Sequence, residues 1–149
     1  MTTISISTEV RDTLSSNGAV VALESTIFSN LGLPSPANAQ ALSNCIAAIR
    51  KAGAVPAITA VIDGAARVGL NENEHERILG PAKKAGEREL ALAIARQWSV
   101  GATTVSASLL LAHAQELACS QRVELVAFIA TCNCMATSAP TWALSLHTQ

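Results

Sequence analysis

Glu24 is the first residue of the sequence whose type and position suit proton transfer. It directly follows the apolar run 19–23, which is typical of a short buried strand. Ligands of α/β folds bind at the ends of such strands, where a carboxyl group is partly desolvated. Desolvation raises the pKa of a carboxyl group and suits it to donate a proton near neutral pH. The position is also compatible with a solvated glutamate or with one that caps a helix.

Two further segments could bind an anion. Gly101 stands ahead of a predicted helix and is followed by Thr103 and Thr104, so free backbone amides, two hydroxyls and the helix dipole would form a phosphate cradle. An ordinary threonine cap explains the same residues. Lys83 or Lys84 could offer a point charge to a phosphate, although a lysine pair near a Gly-Pro turn is usually solvated surface.

The elements that would position these residues alternate between strands and helices. Apolar side chains at i, i+3, i+4 and i+7 from Leu42 predict a helix capped by Ser35, with Pro36 in its first turn, that ends before Gly53. This alternation indicates an α/β fold in which helices are layered on a sheet. The other predicted elements are helix 8–16 capped by Ser7 or Thr8, strand 19–23, strand 55–62, its antiparallel return 65–68 across the Asp63-Gly64 turn, a helix from Asn71 to about Leu79, helix 89–98, a long helix opened by 101–104, and strand 123–131.

Size and charge limit the class of protein. A chain of 149 residues has one-domain length, and half of its residues are hydrophobic while only 3% are aromatic, so Ala, Val, Ile and Leu must build the core. Ten Lys and Arg residues stand against eleven Asp and Glu residues, with no basic stripe, which argues against nucleic-acid binding. One small phosphate remains compatible, since it needs only one or two cations and some amides.

Targeting signals and cysteine usage favour a cytoplasmic protein without a membrane segment. The first residues contain no basic region followed by an apolar run, and no apolar stretch reaches about 18 residues. The four cysteines are therefore interpreted as reduced thiols. Cys45 lies on an apolar helix face and is expected in the core. Cys132 and Cys134 could bind a metal, but no second ligand pair follows at zinc-site spacing.

Three segments of the chain form a set of motifs in a recognisable order. Residues 21–27 read Val-Ala-Leu-Glu-Ser-Thr-Ile, residues 53–70 contain Gly-Ala-Val-Pro-Ala, Ile-Asp-Gly and Val-Gly-Leu, and residues 101–107 read Gly-Ala-Thr-Thr-Val-Ser-Ala. Together they resemble the pseudouridine-5′-phosphate glycosidase family, which includes indigoidine synthase A-like proteins. The resemblance covers roughly residues 4–117. It implies a layered α/β/α sandwich, a homotrimer and a divalent metal, usually manganese.

The resemblance also implies a reaction and roles for three residues, which join the substrate-binding candidates Thr103 and Thr104. Members of the family reversibly cleave the carbon–carbon glycosidic bond of pseudouridine 5′-phosphate, which gives uracil and ribose 5-phosphate. A glutamate donates the proton that opens the ribose ring, and a lysine amine then forms a Schiff base with the sugar. By resemblance, Glu24 is the proton donor, Lys84 is the phosphate-side lysine, with its neighbour in the pair as the alternative, and Val105 contacts the substrate beside Thr103 and Thr104.

The sequence departs from the family pattern in two places. The loop 29–36 is one residue longer than the common form, and no Asp, Glu or Lys follows Glu124. The family's metal-binding aspartate and Schiff-base lysine therefore have no counterpart here. We expect a partial family domain at 1–131 and an irregular or disordered tail at 132–149, with negligible glycosidase activity for the chain alone. A non-catalytic binding or regulatory subunit and a general phosphate-binding module are the alternatives.

Overall fold

The computed structural model describes residues 4–119, which fold into a six-stranded β-sheet with helices on both faces. The sheet order is β1-β4-β3-β6-β5, and β2 pairs with β3 beside this path. In chain order the elements are β1 (Ile4–Ile6), α1 (Thr8–Ser15), β2 (Val20–Leu23), a 3₁₀ turn (Thr26–Phe28), α2 (Ala37–Lys51), β3 (Val55–Ile62), β4 (Ala65–Val68), α3 (Glu72–Ile78), β5 (Lys83–Ala85), α4 (Leu90–Ala95), β6 (Val100–Thr103) and α5 (Val105–Cys119).

The central strand β3 builds the core on both faces of the sheet. Ile58 and Ile62 pack in one cluster with side chains of α2 and α3, whereas Ala57 and Val61 pack in a second cluster with α1, α4 and α5. Because both faces are covered, residues 55–62 are apolar except for Thr59 and lack the alternation of a half-exposed strand. The predicted α/β/α layering is confirmed.

Two short strands, β2 and β6, pair with successive parts of β3, and their carboxyl ends meet. β2 runs parallel to residues 55–58 and β6 runs antiparallel to residues 60–62. The amide of Ser25 donates to the carbonyl of Thr103 at 3.1 Å, which joins the two carboxyl ends. Both ends therefore meet beside Thr59, and α5 starts at the same place because it follows β6 after a single residue.

Several predicted helix ends and the predicted hairpin are confirmed. The Ser7 hydroxyl accepts the amide of Val10 at the start of α1. Asn71 and Glu74 form a reciprocal capping box at the start of α3. Gly53 follows the end of α2 with a φ of 82°, a conformation that a residue without a Cβ adopts at little cost. β3 and β4 pair as the expected antiparallel hairpin.

Residues 101–103 correct the sequence-based assignment. They were expected to open a helix, but they belong to β6, and the helix begins only at Val105. Gly101 lies opposite Val61 in the sheet, and a Cβ at this glycine would lie 3.1 Å from the Val61 side chain. The glycine therefore permits close strand packing and does not form part of a loop.

The start of α2 and two edge strands also differ from the prediction. Pro36, and not Ser35, stands at the cap of α2, and no side chain caps that end. β1 and β5 have three residues each, which is too short for a detectable hydrophobic period. The predicted strand 123–131, the boundary between 1–131 and the tail 132–149, and the cysteine pair at 132 and 134 lie outside the described residues.

Candidate functional site

Glu24 leaves the end of β2 and turns its carboxylate back onto the 3₁₀ turn. Its Oε2 accepts the amide of Thr26 at 3.1 Å, and its Oε1 accepts the amide of Ile27 at 3.2 Å. Burial raises the pKa of Glu24 above the ordinary glutamate value, against the lowering effect of these two amides and of the Lys84 charge. Glu24 is therefore a capping residue, and it is also a carboxyl group whose protonated form is favoured.

A cluster of four buried hydroxyl groups lies beneath Glu24; we call Ser25, Thr59, Thr103 and Ser108 the hydroxyl cluster. Three of these residues are 0% exposed and Ser108 is 5% exposed. Thr59 Oγ1 lies 2.8 Å from Thr103 Oγ1 and 2.6 Å from Ser108 Oγ, and Ser25 Oγ lies 3.1 Å from Thr103 Oγ1. Because a buried hydroxyl without a partner is costly, these mutual bonds favour one fixed arrangement.

The structure brings Thr103 and Thr104 to the site but uses their amides internally. The amide of Thr103 donates to Ser25 Oγ at 2.9 Å, and the amide of Thr104 donates to the carbonyl of Ala85 at 3.1 Å. The Thr103 side chain is buried in the hydroxyl cluster, whereas Thr104 is partly exposed. The amides suited to an anion are instead the first three of α5, from Val105 onward, because no carbonyl lies one helical turn before them.

The two lysines of β5 point in different directions. Successive side chains of a strand alternate between the faces of the sheet. Lys83 Nζ lies 5.1 Å from the ring centroid of Trp98, at cation–π distance. The Lys84 ammonium acts on Glu24 and lowers its pKa. Lys84 is therefore the lysine of this pair whose charge acts on Glu24.

A buried asparagine ties the loop after Glu24 to the segment that leads to Lys84. Asn38 is 2% exposed. Its Nδ2 donates to the carbonyl of Phe28, which ends the 3₁₀ turn, and to the carbonyl of Leu79, which follows α3, both at 3.0 Å. Asn38 therefore connects, through two hydrogen bonds, the segment that follows Glu24 and the segment that leads to Lys84.

Sequence reasoning misses Thr59, Ser108 and Asn38. A threonine in a strand is unremarkable because β-branched side chains favour strands. Ser108 and Asn38 occur in helices, where a small polar residue is normally taken as solvent-facing. The available signal is weak: Ser108 lies one helical turn after Thr104, beside the apolar positions Ala107 and Leu111 that face the core.

The described residues offer no complete metal site. Within residues 4–119, no group of three His, Cys, Asp or Glu side chains could hold a metal ion. Manganese prefers several carboxylate or other oxygen ligands, so this part of the chain does not fit the ion on its own. In the same part of the chain, no helix combines the length and the apolar character needed to cross a membrane.

A comparison with protein families covers the whole of this site. The model of the family described as indigoidine synthase A-like protein matches residues 9–119, which is most of the chain. This chain belongs to that family. The match contains Glu24, the hydroxyl cluster, Lys84 and the start of α5.

Two curated relatives of this indigoidine synthase A-like chain share the name pseudouridine-5′-phosphate glycosidase. The pseudouridine-5′-phosphate glycosidase of Streptomyces griseus is 50% identical over 109 residues, which cover 72% of this chain and 33% of the relative. The enzyme of the same name from Escherichia coli is 43% identical over 113 residues, which cover 73% of this chain and 35% of the relative. The chain thus spans about a third of the length of the curated relatives it matches.

Two solved structures are similar to the fold of this family member. The prealnumycin C-glycosynthase AlnA, solved in complex with ribulose 5-phosphate, has a TM-score of 0.64 and 30% identity, covering 74% of this chain and 35% of that one. An indigoidine synthase A-like protein from Thermotoga maritima has a TM-score of 0.63 and 26% identity, covering 82% of this chain and 38% of that one. The α/β/α arrangement described above is therefore the fold of the matching third of these proteins.

Proposed function

We propose that this chain carries the proton-donor and phosphate-binding part of a pseudouridine-5′-phosphate glycosidase site. One observation carries the proposal: Glu24, with a raised pKa, lies where β2 and β6 meet, next to the start of α5 and within the electrostatic reach of Lys84. The names of the curated relatives support the substrate. The C-glycosynthase structure supports a pentose phosphate as the ligand class, since it was solved with ribulose 5-phosphate.

In the proposed reaction, each part of the site has a separate task. The first amides of α5 and the Lys84 ammonium bind the phosphate and hold the sugar in one orientation. The protonated Glu24 carboxyl donates to the ring oxygen of the ribose, and the bond from that oxygen to C1′ breaks as a lysine amine, which is not assigned to this chain, adds to C1′. The Glu24 carboxylate is left behind. Val105, at the first position of α5, contacts the sugar. Thr103 is buried and supports the backbone next to Glu24 by accepting the amide of Ser25.

The proposal assigns no imine-forming lysine to this chain. In the sequence given, no Lys, Asp or Glu follows Glu124. We therefore expect the 149-residue chain to bind a pentose phosphate but to release negligible uracil from pseudouridine 5′-phosphate. Chromatographic detection of uracil tests this expectation, and efficient turnover by the purified chain would contradict it.

A residue-resolved binding experiment tests the phosphate site. Ribose 5-phosphate is titrated into ¹⁵N-labelled protein, and the amide signals are followed by NMR. We expect the largest shifts at the first residues of α5. Lys84→Ala should weaken binding about tenfold or more, since a hydrogen bond to a charged group contributes about 1.5–3 kcal/mol.

Lys83→Ala is the matched control, because the Lys83 ammonium lies over the ring of Trp98. It should leave the affinity for ribose 5-phosphate unchanged. Equal losses in the two variants, or shifts confined to surface far from α5, would count against the proposed site.

We also propose that the protein self-associates, as its family resemblance implies. The described part of the chain leaves three leucines of α4 and α5 more than a third exposed: Leu92, Leu109 and Leu110. Apolar side chains grouped on neighbouring elements favour association. Sedimentation velocity across a range of concentrations tests this, and a monomer at every concentration would contradict it.

A further inference from the structure

Both peptide groups next to Glu24 are hydrogen-bonded to residues of the hydroxyl cluster, one to a side-chain hydroxyl and the other to a backbone carbonyl. On one side, Thr59 Oγ1 donates to the carbonyl of Leu23 at 3.1 Å. On the other side, the amide of Ser25 donates to the carbonyl of Thr103 at 3.1 Å, and the Thr103 hydroxyl donates to the carbonyl of Thr59 at 2.6 Å. The backbone of Glu24 is therefore fixed on both sides through a single residue of β3.

A consistent set of donors exists for the whole cluster, with one proton for each hydroxyl. In this set, Thr59 Oγ1 donates to the carbonyl of Leu23 and Thr103 Oγ1 donates to the carbonyl of Thr59, so these two hydroxyl oxygens approach each other at 2.8 Å without a proton between them. Ser108 can then donate to Thr59 Oγ1 at 2.6 Å, and Ser25 can donate to Thr103 Oγ1 at 3.1 Å. Every hydroxyl proton has an acceptor, and Thr59 is the group to which both β6 and α5 are bound.

We propose that Thr59 is a positioning residue for the Glu24 carboxyl: its hydroxyl joins the carboxyl end of β2 to the second turn of α5, and its carbonyl accepts the Thr103 hydroxyl at the end of β6. It thereby sets the distance from Glu24 to the amides at the start of α5. This inference rests on the proposed function, because it assumes that the proton donor must act on a ligand held at α5. Thr59 is 0% exposed, so its side chain acts through Glu24 and not on a ligand.

Thr59→Val and Thr59→Ser in the full chain form the test. Valine keeps the shape and the branching of threonine but removes the donor to Leu23 and the acceptor for Ser108, whereas serine keeps the hydroxyl. Glu24 is observed through its ¹³C-labelled carboxyl carbon in an NMR pH titration, with its signal assigned by its absence in Glu24→Gln.

With Thr59→Val, we expect the titration midpoint of Glu24 to fall toward the ordinary glutamate value, because a loosened carboxyl regains solvent. The affinity for ribose 5-phosphate should fall at least about fivefold, since small misplacements of a site are costly. Thr59→Ser should restore both readouts. Ile62→Val, a buried change on the same strand without a polar contact, should lower stability and leave both readouts unchanged.

A folded Thr59→Val protein with the wild-type Glu24 titration would overturn the inference, as would an Ile62→Val protein that shifts the titration equally. If Thr59→Val does not fold, Ser108→Ala takes its place, since it removes the contacts of the Ser108 hydroxyl with Thr59 Oγ1, Thr103 Oγ1 and the Thr104 carbonyl. An unchanged Glu24 titration in that variant has the same meaning. The titration needs no ligand. A failure of ribose 5-phosphate to bind the wild-type chain would therefore count against the proposed function alone.

Discussion

Two glutamates of this chain, Glu9 and Glu24, show how a structural carboxylate differs from a candidate proton donor. Glu9 lies on the surface of α1, where both of its carboxylate oxygens accept from the Arg50 guanidinium at 2.6 and 3.0 Å. Those bonds hold the pKa of Glu9 below its ordinary value. Burial raises the pKa of Glu24, and the two backbone amides that it accepts in place of an arginine only partly offset that effect.

The difference is one of surroundings and not of residue type. A guanidinium favours the ionised form, whereas burial without a full countercharge favours the protonated form. Only the second arrangement leaves a proton available near neutral pH. The contrast is set by the elements around each side chain: an exposed helix for Glu9, and the junction of β2, β6 and α5 for Glu24.

The largest loss of unfolding free energy should come from a change in the buried side chain that supports the turn at Glu24. Phe28 is 1% exposed and ends the turn that the Glu24 carboxylate caps. Phe28→Ala should reduce the free energy of unfolding by about 3–5 kcal/mol, because it removes a buried ring and leaves a cavity. Urea denaturation measures this loss. A loss below about 1 kcal/mol would show that the turn does not depend on the core.

A smaller effect is expected from Gly32, which packs against the backbone of the same turn. A Cβ at Gly32 would lie within 2.7 Å of three backbone atoms of Ile27, whose amide donates to Glu24. Gly32→Ala should cost about 1–3 kcal/mol of unfolding free energy through overcrowding. Gly80→Ala is the control, since its Cβ would meet only the Arg77 carbonyl at an ordinary 3.6 Å. Equal losses in the two variants would contradict the expectation.

The pH dependence of stability should have opposite signs for the two glutamates, and Glu24→Gln gives the first half of that test. Because its pKa is raised in the folded state, Glu24 stabilises the fold fully below the ordinary glutamate pKa, and this contribution is lost as pH rises through the raised value. The stability of the wild type relative to Glu24→Gln should therefore fall as pH rises from the ordinary glutamate pKa through the raised one. A difference that grows with pH would refute the assignment.

Glu9→Gln gives the second half and the smallest effect. A lowered pKa means that Glu9 stabilises the fold above the ordinary value and that this contribution is lost as pH falls. Because the side chains of Glu9 and Arg50 are about half exposed, Glu9→Gln should reduce the free energy of unfolding at neutral pH by only about 0.2–1 kcal/mol. It should shrink further in high salt, as chemical denaturation with and without added salt can show. A loss unaffected by salt would indicate a contribution other than the ion pair.

The sequence predicts the elements of the fold wherever apolar spacing is regular. The apolar stripe of α2 and the mostly apolar strand β3 are both found as predicted, because the periodicity of the first and the length of the second are strong signals. Residues 101–103 are misassigned, since Gly-Ala-Thr carries no period and a glycine before two threonines resembles a helix start. Lys83 and Lys84 look like surface residues, and pairing with β6 makes them a strand.

The candidate site is predictable only in part. The place of Glu24 at the end of a strand is visible in the sequence, and the structure puts it beside the start of α5. The hydroxyl cluster is not visible, because its hydrogen bonds join residues up to 78 positions apart along the chain. Its members are small residues that occur commonly in any strand or helix. Only tertiary packing shows that Thr59 faces Ser108 and Thr103.

One NMR titration of both carboxyl groups in a single ¹³C-glutamate-labelled sample tests the central claim most directly. The account predicts that Glu24 titrates above the ordinary glutamate value while Glu9 titrates below it. Glu24→Gln and Glu9→Gln assign the two signals. If Glu24 titrates at or below the ordinary value, it is ionised at neutral pH and cannot act as the proton donor of this site.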